Sequence, residues 1–186
     1  MKIYAETDRL ILREILPSDA ESFYELDSDP AVHTFLGNNP IKTLDEAHET
    51  ITRIRQQYKD FGIGRWAAIE KSSGDFIGWT GLKYIDYEDN NHINFHDVGY
   101  RLIPRFWGKG YATESAKAAI QYGFETMKLE EIIGTTHIDN KASRNALEKC
   151  GLKFIETFEW KGNQCNWLKI TKTEWSENYT INNLNH

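Results

Sequence analysis

Four residues near the middle of the chain have the types and spacing of an anion-binding loop: Arg105, Gly108, Lys109 and Gly110. An apolar strand is predicted before them, and a long helix begins at once behind them, at Tyr111. In that arrangement backbone N–H groups and the positive end of a helix dipole point to one place. The glycines let the backbone approach an anion without an intervening Cβ, and the two cations add positive charge. The loop therefore predicts a phosphate or pyrophosphate site.

Two other glycine loops fit this segment less well. A P-loop needs a glycine where Ile103 stands and a hydroxyl residue where Gly110 stands, so that motif is excluded. A dinucleotide fingerprint needs a third glycine in place of Thr113 and a loop that follows its strand directly. Glu130 does lie at the distance that the fingerprint asks for, so this alternative stays open. A tight strand-to-helix turn without any ligand is the other alternative.

The composition indicates one globular domain. A chain of 186 residues suits a single core, and 40% hydrophobic with 13% aromatic residues excludes a disordered chain. A net charge of −6 without a basic patch argues against nucleic acid as a partner. No apolar run has the length of a signal peptide core or a membrane span. Two cysteines, Cys150 and Cys165, imply no disulfide framework, so we expect a cytoplasmic protein.

Hydrophobic periodicity predicts alternating strands and helices, with no internal repeat and no linker. The predicted strands span residues 9–14, 65–70, 75–85, 93–103, 131–138, 152–160 and 165–171. The predicted helices span residues 17–26, 29–36, 43–61, 111–127 and 141–149. Thr43 and Glu46 have the spacing of a capping box at the start of the third of these helices. We expect residues 1–175 to form one domain, followed by a polar tail over residues 176–186.

The loop resembles the acetyl-CoA loop of the GNAT N-acetyltransferases, whose pattern is Gln/Arg-x-x-Gly-x-Gly/Ala. The resemblance extends over residues 7–175 and is greatest to the branch of ribosomal-protein N-terminal acetyltransferases; the segments that carry it, besides the loop, are residues 7–13, 97–100, 139–145 and 148–152. It implies a single-domain GNAT fold of the α/β (α+β) class. In that fold, helices flank a mixed, mostly antiparallel central sheet of about seven strands. It also implies acetyl-CoA as acetyl donor and CoA as product.

The resemblance further implies how the cofactor is held. The strands that end at Ile103 and Ile138 are expected to splay apart, so that the pantetheine arm pairs with the freed edge of the first. The residues expected to bind the cofactor are Tyr100, Arg101, Leu102, Ile103, Arg105, Trp107, Gly108, Lys109, Gly110, Tyr111, Ala112, Thr113, Asn140 and Ser143. Arg144 and Lys149 are candidates for the adenosine 3′-phosphate, with a solvated surface position as the alternative.

Acetyl transfer to an amine needs a group that takes the amine's proton and donors that stabilise the carbonyl oxygen. By resemblance the transfer is direct, without a covalent enzyme intermediate, and backbone N–H groups around residues 100–102 are the expected oxyanion donors. Asp97 stands where this branch often carries a glutamate, which makes it the candidate base. Because its side chain is one methylene shorter, a bridging water is expected. A solvated strand-end aspartate is the alternative.

The leaving thiolate also needs a proton. Many family members place a tyrosine for this purpose where the present chain has Leu147, which reads as a core residue. Ser143, near the sulfur in the resembling branch, is therefore the candidate substitute. A helix N-terminal hydroxyl that only satisfies backbone donors is the alternative.

The remaining polar and aromatic residues give weaker indications of function. His92 and His96 lie beside Asp97, but no third ligand accompanies them at a usual spacing, so no metal is expected. One or two of the aromatic residues in the strands that wall the acceptor cleft are expected to contact the acceptor; these residues are Trp79, Tyr84, Trp160 and Trp167.

The predicted function is acetyl-CoA-dependent N-acetyl transfer to an amine acceptor, either a protein N-terminus or a small molecule. The alternative is a GNAT-like module that binds acyl-CoA without turnover, as a sensor or interaction domain. We expect a monomer or a homodimer, and neither nucleic acid nor a membrane as partner.

Overall fold

The computed structural model describes residues 1–177. Its strands are β1 (Ile3–Glu6), β2 (Leu10–Glu14), β3 (Trp66–Glu70), β4 (Phe76–Ile85), β5 (Phe95–Leu102), β6 (Glu131–His137), β7 (Lys153–Trp160) and β8 (Asn163–Thr171). Its helices are α1 (Ala20–Ser28), α2 (Leu44–Phe61), α3 (Tyr111–Glu125) and α4 (Lys141–Lys149), with short 3₁₀ turns at Pro17–Asp19 and Pro104–Phe106. Residues 172–177 are also helical. The rest of the expected polar tail, residues 178–186, lies outside the described residues.

The eight strands form one sheet in the order β1-β2-β3-β4-β5-β6-β8-β7. Every neighbouring pair is antiparallel except β5 with β6, so the prediction of a mixed, mostly antiparallel sheet is confirmed. The strand missing from the prediction is β1. It is short, and its pairing with β2 contains a register shift between Ile3 and Ala5. Its inward residue Tyr4 stacks on the buried ring of Trp66, with 4.7 Å between ring centroids.

Helix α2 begins and ends where its sequence predicts. The Thr43 hydroxyl accepts a hydrogen bond from the Glu46 backbone N–H (3.3 Å), which satisfies one of the free donors of the first turn. Gly62 follows the helix in the left-handed conformation, with φ +71°, which is common for a glycine that ends a helix.

The prediction of a helix over residues 29–36 is wrong. That segment is a series of turns, in which Val32 N–H donates to the Asp29 carbonyl (3.1 Å) and Leu36 N–H to the His33 carbonyl (2.9 Å). These bonds span three residues rather than four, and Asn38 N–H closes the last turn on the His33 carbonyl (3.1 Å). Five of its residues line the main cleft: Ala31, Val32, Thr34, Phe35 and Leu36.

The break in the sheet that forms the cleft lies between the two parallel strands. Strand β5 pairs with β6 only at Asp97 and Ile133 within the described chain. Beyond Asp97 the edge of β5 that faces β6 is unpaired, while β6 continues to pair with β8 along its other edge. The strands therefore splay as predicted, and backbone groups along this edge of residues 98–102 are free to bind a ligand, except the Leu102 carbonyl, which accepts from the Trp107 indole N–H (2.6 Å). No helix of the described chain is both long and apolar enough to cross a bilayer.

Candidate active site

A cleft of about 900 Å³ opens where β5 and β6 splay. The glycine loop and the first turn of α3 line one end, just after the C-terminal end of β5, and residues of α4 and of the turns over residues 31–36 also line the cleft. The start of β5, around Asp97, lines the opposite end from the glycine loop.

The glycine loop presents a row of free donors. Gly108 and Gly110 have φ values of +71° and +84°, a left-handed conformation that side chains with a Cβ rarely adopt. The first hydrogen bond of α3 runs from Glu114 N–H to the Gly110 carbonyl (3.0 Å). The six N–H groups from Gly108 to Thr113 therefore have no acceptor within residues 1–177. Such a row at a helix N-terminus fits a phosphate or pyrophosphate group.

Contacts that sequence reasoning missed hold the loop in place. Arg9, just before β2, donates to the Glu114 carboxylate (2.7 Å) and to the Lys109 carbonyl (3.0 Å), and its guanidinium lies 4.2 Å from the Tyr111 ring centroid. Burial alone would raise the pKa of Glu114, but hydrogen bonds from Thr7 and Arg9 outweigh that effect and lower it. Arg9 is at least 100 residues from its partners in the chain, so no local pattern indicates this contact.

Most of the residues predicted to bind the cofactor line the cleft. They are Tyr100, Arg101, Leu102, Trp107, Gly108, Gly110, Tyr111, Ala112, Thr113, Asn140 and Ser143. Three others lie elsewhere: Ile103 is buried, the Arg105 guanidinium forms an ion pair with Glu25, and Lys109 points its ammonium at the Phe106 ring. The positive charge that the sequence predicts at the rim is therefore partly neutralised or turned away.

The cleft lining near the start of β5 contains two carboxylates and two cations. Arg65 forms an ion pair with Asp97. Burial raises the pKa of Asp89, and the charge of Asp97 raises it further. Burial also lowers the pKa of Lys83, which lies directly opposite Asp97 in the β4–β5 backbone register. Both shifts favour the neutral forms, because this end of the cleft is partly withdrawn from water.

Helix α4 brings Ser143 to the side of the cleft. The Asn140 side chain caps the helix by accepting from Ser143 N–H (3.1 Å). The Tyr100 hydroxyl, from β5, lies 2.9 Å from the Ser143 carbonyl and 3.1 Å from its Oγ. Burial raises the pKa of Tyr100 well above its usual value, so this hydroxyl stays protonated and can donate. Leu147 is 1% exposed and packs against Gly134, as its interpretation as a core residue requires.

Some of the other aromatic and basic candidates line the cleft, and others do not. Trp79 and Trp160 line the cleft, whereas Tyr84 does not and Trp167 is buried in a separate core cluster. Lys149 lines the cleft, and Arg144 pairs with Glu148 on the surface of α4 (2.9 Å). His92 stacks on Trp167 and His96 packs against Tyr84, so the two imidazoles have different neighbours. No three metal-ligating side chains come together within residues 1–177.

Comparison with known proteins agrees with this geometry. A family model described as "Acetyltransferase (GNAT) domain" matches residues 9–153. The FsC-acetyl coenzyme A-N(2)-transacetylase of Aspergillus fumigatus is 34% identical over 156 residues, which span 82% of this chain and 66% of that protein. The putative ribosomal N-acetyltransferase YdaF of Bacillus subtilis is 28% identical over 155 residues, covering 80% of this chain and 79% of that one.

A solved structure gives the same result for the fold. The GNAT-family acetyltransferase from Bacillus anthracis superposes with a TM-score of 0.74 at 25% identity, over 93% of this chain and 99% of that one. The match to the family model extends through β5, the glycine loop and α4, which together form the cleft. The chain therefore belongs to the GNAT family and is an acetyl-CoA-dependent N-acetyltransferase.

Proposed function

We propose that the protein transfers the acetyl group directly to a primary amine that enters the cleft beside Asp97. One observation supports this most: a single cleft joins free N–H groups of the glycine loop and of the first turn of α3 to a carboxylate, Asp97, and a hydroxyl, Ser143. The loop donors are suited to the phosphates of the cofactor. The opposite end of the cleft, around Asp97, is suited to the acceptor and is called the acceptor end. Bound acetyl-CoA supplies the thioester carbonyl that the amine attacks.

The roles of the chain's own residues follow from where they lie. The free edge of β5 over residues 98–102 offers N–H groups that stabilise negative charge on the carbonyl oxygen. Asp97 takes the proton of the amine through a bridging water. Its Oδ2 is occupied by Arg65, but Oδ1 accepts no hydrogen bond within the described residues. Ser143 donates a hydrogen bond to the departing thiolate.

The proposed role of Ser143 predicts a specific pattern in two variants. Ser143→Ala is expected to lower kcat about tenfold, since it removes one hydrogen bond made to a developing charge. Tyr100→Phe is expected to have a smaller effect in the same direction, because its hydroxyl acts by orienting Ser143. Combining the two should cost no more than Ser143→Ala alone, as measured by steady-state thiol release. A double variant that loses the product of the single effects would contradict this arrangement.

The acceptor belongs to the class of primary amines. One relative is named for transfer to an N(2) nitrogen and another for ribosomal acetylation, so a small amine and a protein N-terminus both remain candidates. Tyr87 and Trp160, which are 47% and 39% exposed, line the acceptor end and supply aromatic surface for either.

The first experiment is a thermal-shift titration of the purified protein with acetyl-CoA, CoA, NADH and ATP in parallel. A ligand that binds only the folded state raises the melting temperature in proportion to RT ln(1 + [L]/Kd). We expect shifts with acetyl-CoA and CoA alone, followed by amine-dependent release of free thiol. A shift with NADH alone would instead support the dinucleotide interpretation of the loop. Binding of acetyl-CoA without transfer to any member of a broad amine panel would contradict the proposed transfer.

We further infer that the enzyme acts in the cytoplasm as a monomer or homodimer, with residues 1–175 as its catalytic domain. Cell fractionation tests the first point, and light scattering after size exclusion tests the second. A variant that ends at residue 175 tests the third, because it should retain acetyl-CoA binding and turnover.

A further inference from the structure

Arg65 stands immediately before β3, and its side chain crosses β4 to reach β5. The guanidinium Nη1 donates to the carbonyls of Gly81 (2.5 Å) and Asp97 (2.8 Å), while Nη2 pairs with Asp97 Oδ2. The Arg65 side chain is 11% exposed and that of Asp97 is 15% exposed. Three acceptors on two strands therefore fix a largely desolvated cation beside the carboxylate.

The backbone of β5 is shaped to admit this guanidinium. Gly99 lies opposite Gly81 in the β4–β5 ladder. A Cβ on Gly99 would stand 2.7 Å from Arg65 Nη2 and 2.9 Å from Cζ, closer than such atoms can approach. Gly99 does not have a positive φ, so its backbone conformation does not require glycine. The absence of a side chain is needed because three guanidinium atoms of Arg65 lie within 3.2 Å of where the Cβ would stand.

The ring of Trp79 completes the cradle. It lines the cleft, and its centroid lies 5.3 Å from the Arg65 guanidinium carbon, within the range of a cation–π contact. Arg65 is thus held on one side by an aromatic face and on another by backbone carbonyls, independently of any ligand. A cation fixed in this way can set the orientation of the carboxylate that it binds.

We propose that Arg65 is a positioning residue for acetyl transfer, which holds Asp97 so that its free oxygen Oδ1 faces the incoming amine. The inference depends on the proposed function, in which Asp97 takes the amine's proton. A carboxylate that rotates freely samples many orientations, and a single bound oxygen removes that freedom before the amine arrives. Lysine cannot replace arginine fully, because a single ammonium cannot reproduce the planar set of donors that meets Oδ2 and both carbonyls.

The test is a double-mutant cycle of Arg65→Met and Asp97→Asn, with Arg53→Met as the control. Arg53 is exposed on α2, so its replacement removes an equal charge away from the cleft. We expect each single variant at the site to lower kcat/KM for the amine by about a hundredfold. Because Arg65 acts through Asp97, the double variant should be no worse than Asp97→Asn. The Kd for acetyl-CoA, measured by calorimetry, should match that of Arg53→Met in all variants.

A second variant keeps the inference testable if Arg65→Met fails to fold. Gly99→Ala retains the guanidinium but displaces it, so it should lower kcat/KM when Asp97 is present and have little further effect in the Asp97→Asn background. Two outcomes would overturn the proposal while leaving acetyl transfer intact. One is a double variant whose loss of kcat/KM equals the product of the Arg65→Met and Asp97→Asn losses. The other is an Arg65→Met variant that is as active as Arg53→Met. A wild-type protein that transfers acetyl to no amine would instead overturn the proposed function itself.

Discussion

Replacing Gly110 by valine is expected to weaken acetyl-CoA binding by about a hundredfold or more in a protein that still folds. A Cβ at this position would find only Arg9 Nη2 nearby, at 3.5 Å, which is an ordinary contact. The protein itself therefore has room for a side chain, and the branched group would project into the space that a phosphate needs. We expect the Kd for acetyl-CoA, measured by calorimetry, to rise about a hundredfold or more, equivalent to ~3 kcal/mol.

The chain provides a matched control for this substitution. Gly74, in the turn between β3 and β4, has φ +78° against +84° for Gly110, and a Cβ there would meet nothing within 4 Å. Valine at either position incurs a left-handed backbone cost of about 1–2 kcal/mol. The two variants should therefore lose similar stability in urea unfolding, but only Gly110→Val should lose acetyl-CoA. Equal affinity in both variants would show that the loop does not hold the phosphates.

Features that depend on neighbouring residues could be predicted from the sequence. The glycine loop, the cap of α2 at Thr43 and the strand-to-helix order each rest on a few adjacent side chains. The splay of β5 from β6 was implied by family resemblance, since the unpaired edge has no signature of its own. Segment 29–36 shows the limit of local patterns. Its turns are stabilised by hydrogen bonds and by packing of Phe35 against His137 of β6, with 5.5 Å between ring centroids.

Features that depend on distant residues could not be predicted. Arg65 and Asp97 are 32 residues apart, and Tyr100 and Ser143 are 43 apart. Each of these residues has an ordinary local context, so only the tertiary structure shows what it binds. The charge of the candidate site is decided by such pairings. The family resemblance indicates Asp97, which stands where the branch often carries a glutamate, but it does not indicate the Arg65 cation. That cation determines which oxygen of Asp97 is free.

Asp97→Asn is expected to lower turnover with an alkyl amine by about a hundredfold near pH 7, within the range for loss of one acid–base group. The amide keeps the shape of the side chain but cannot take up the proton. An alkylamine with a pKa of about 10.4 is almost wholly protonated at pH 7, and its free-base fraction rises tenfold for each unit of pH. The need for an enzyme base therefore falls as the pH rises. The ratio of wild-type to variant kcat/KM should be largest near pH 6 and shrink towards pH 9.

The pH dependence separates proton transfer from simple charge attraction. If Asp97 only attracted the ammonium ion, its loss would weaken acceptor binding, and the effect would decrease with added salt. If it takes the proton, the effect persists in salt and remains in kcat at saturating amine. Asp86→Asn is the control, because Asp86 is an exposed carboxylate just after β4 and outside the cleft lining. A variant ratio that is constant from pH 6 to pH 9 would remove Asp97 from proton transfer and leave Asp89, the other carboxylate of the acceptor end, to be tested next.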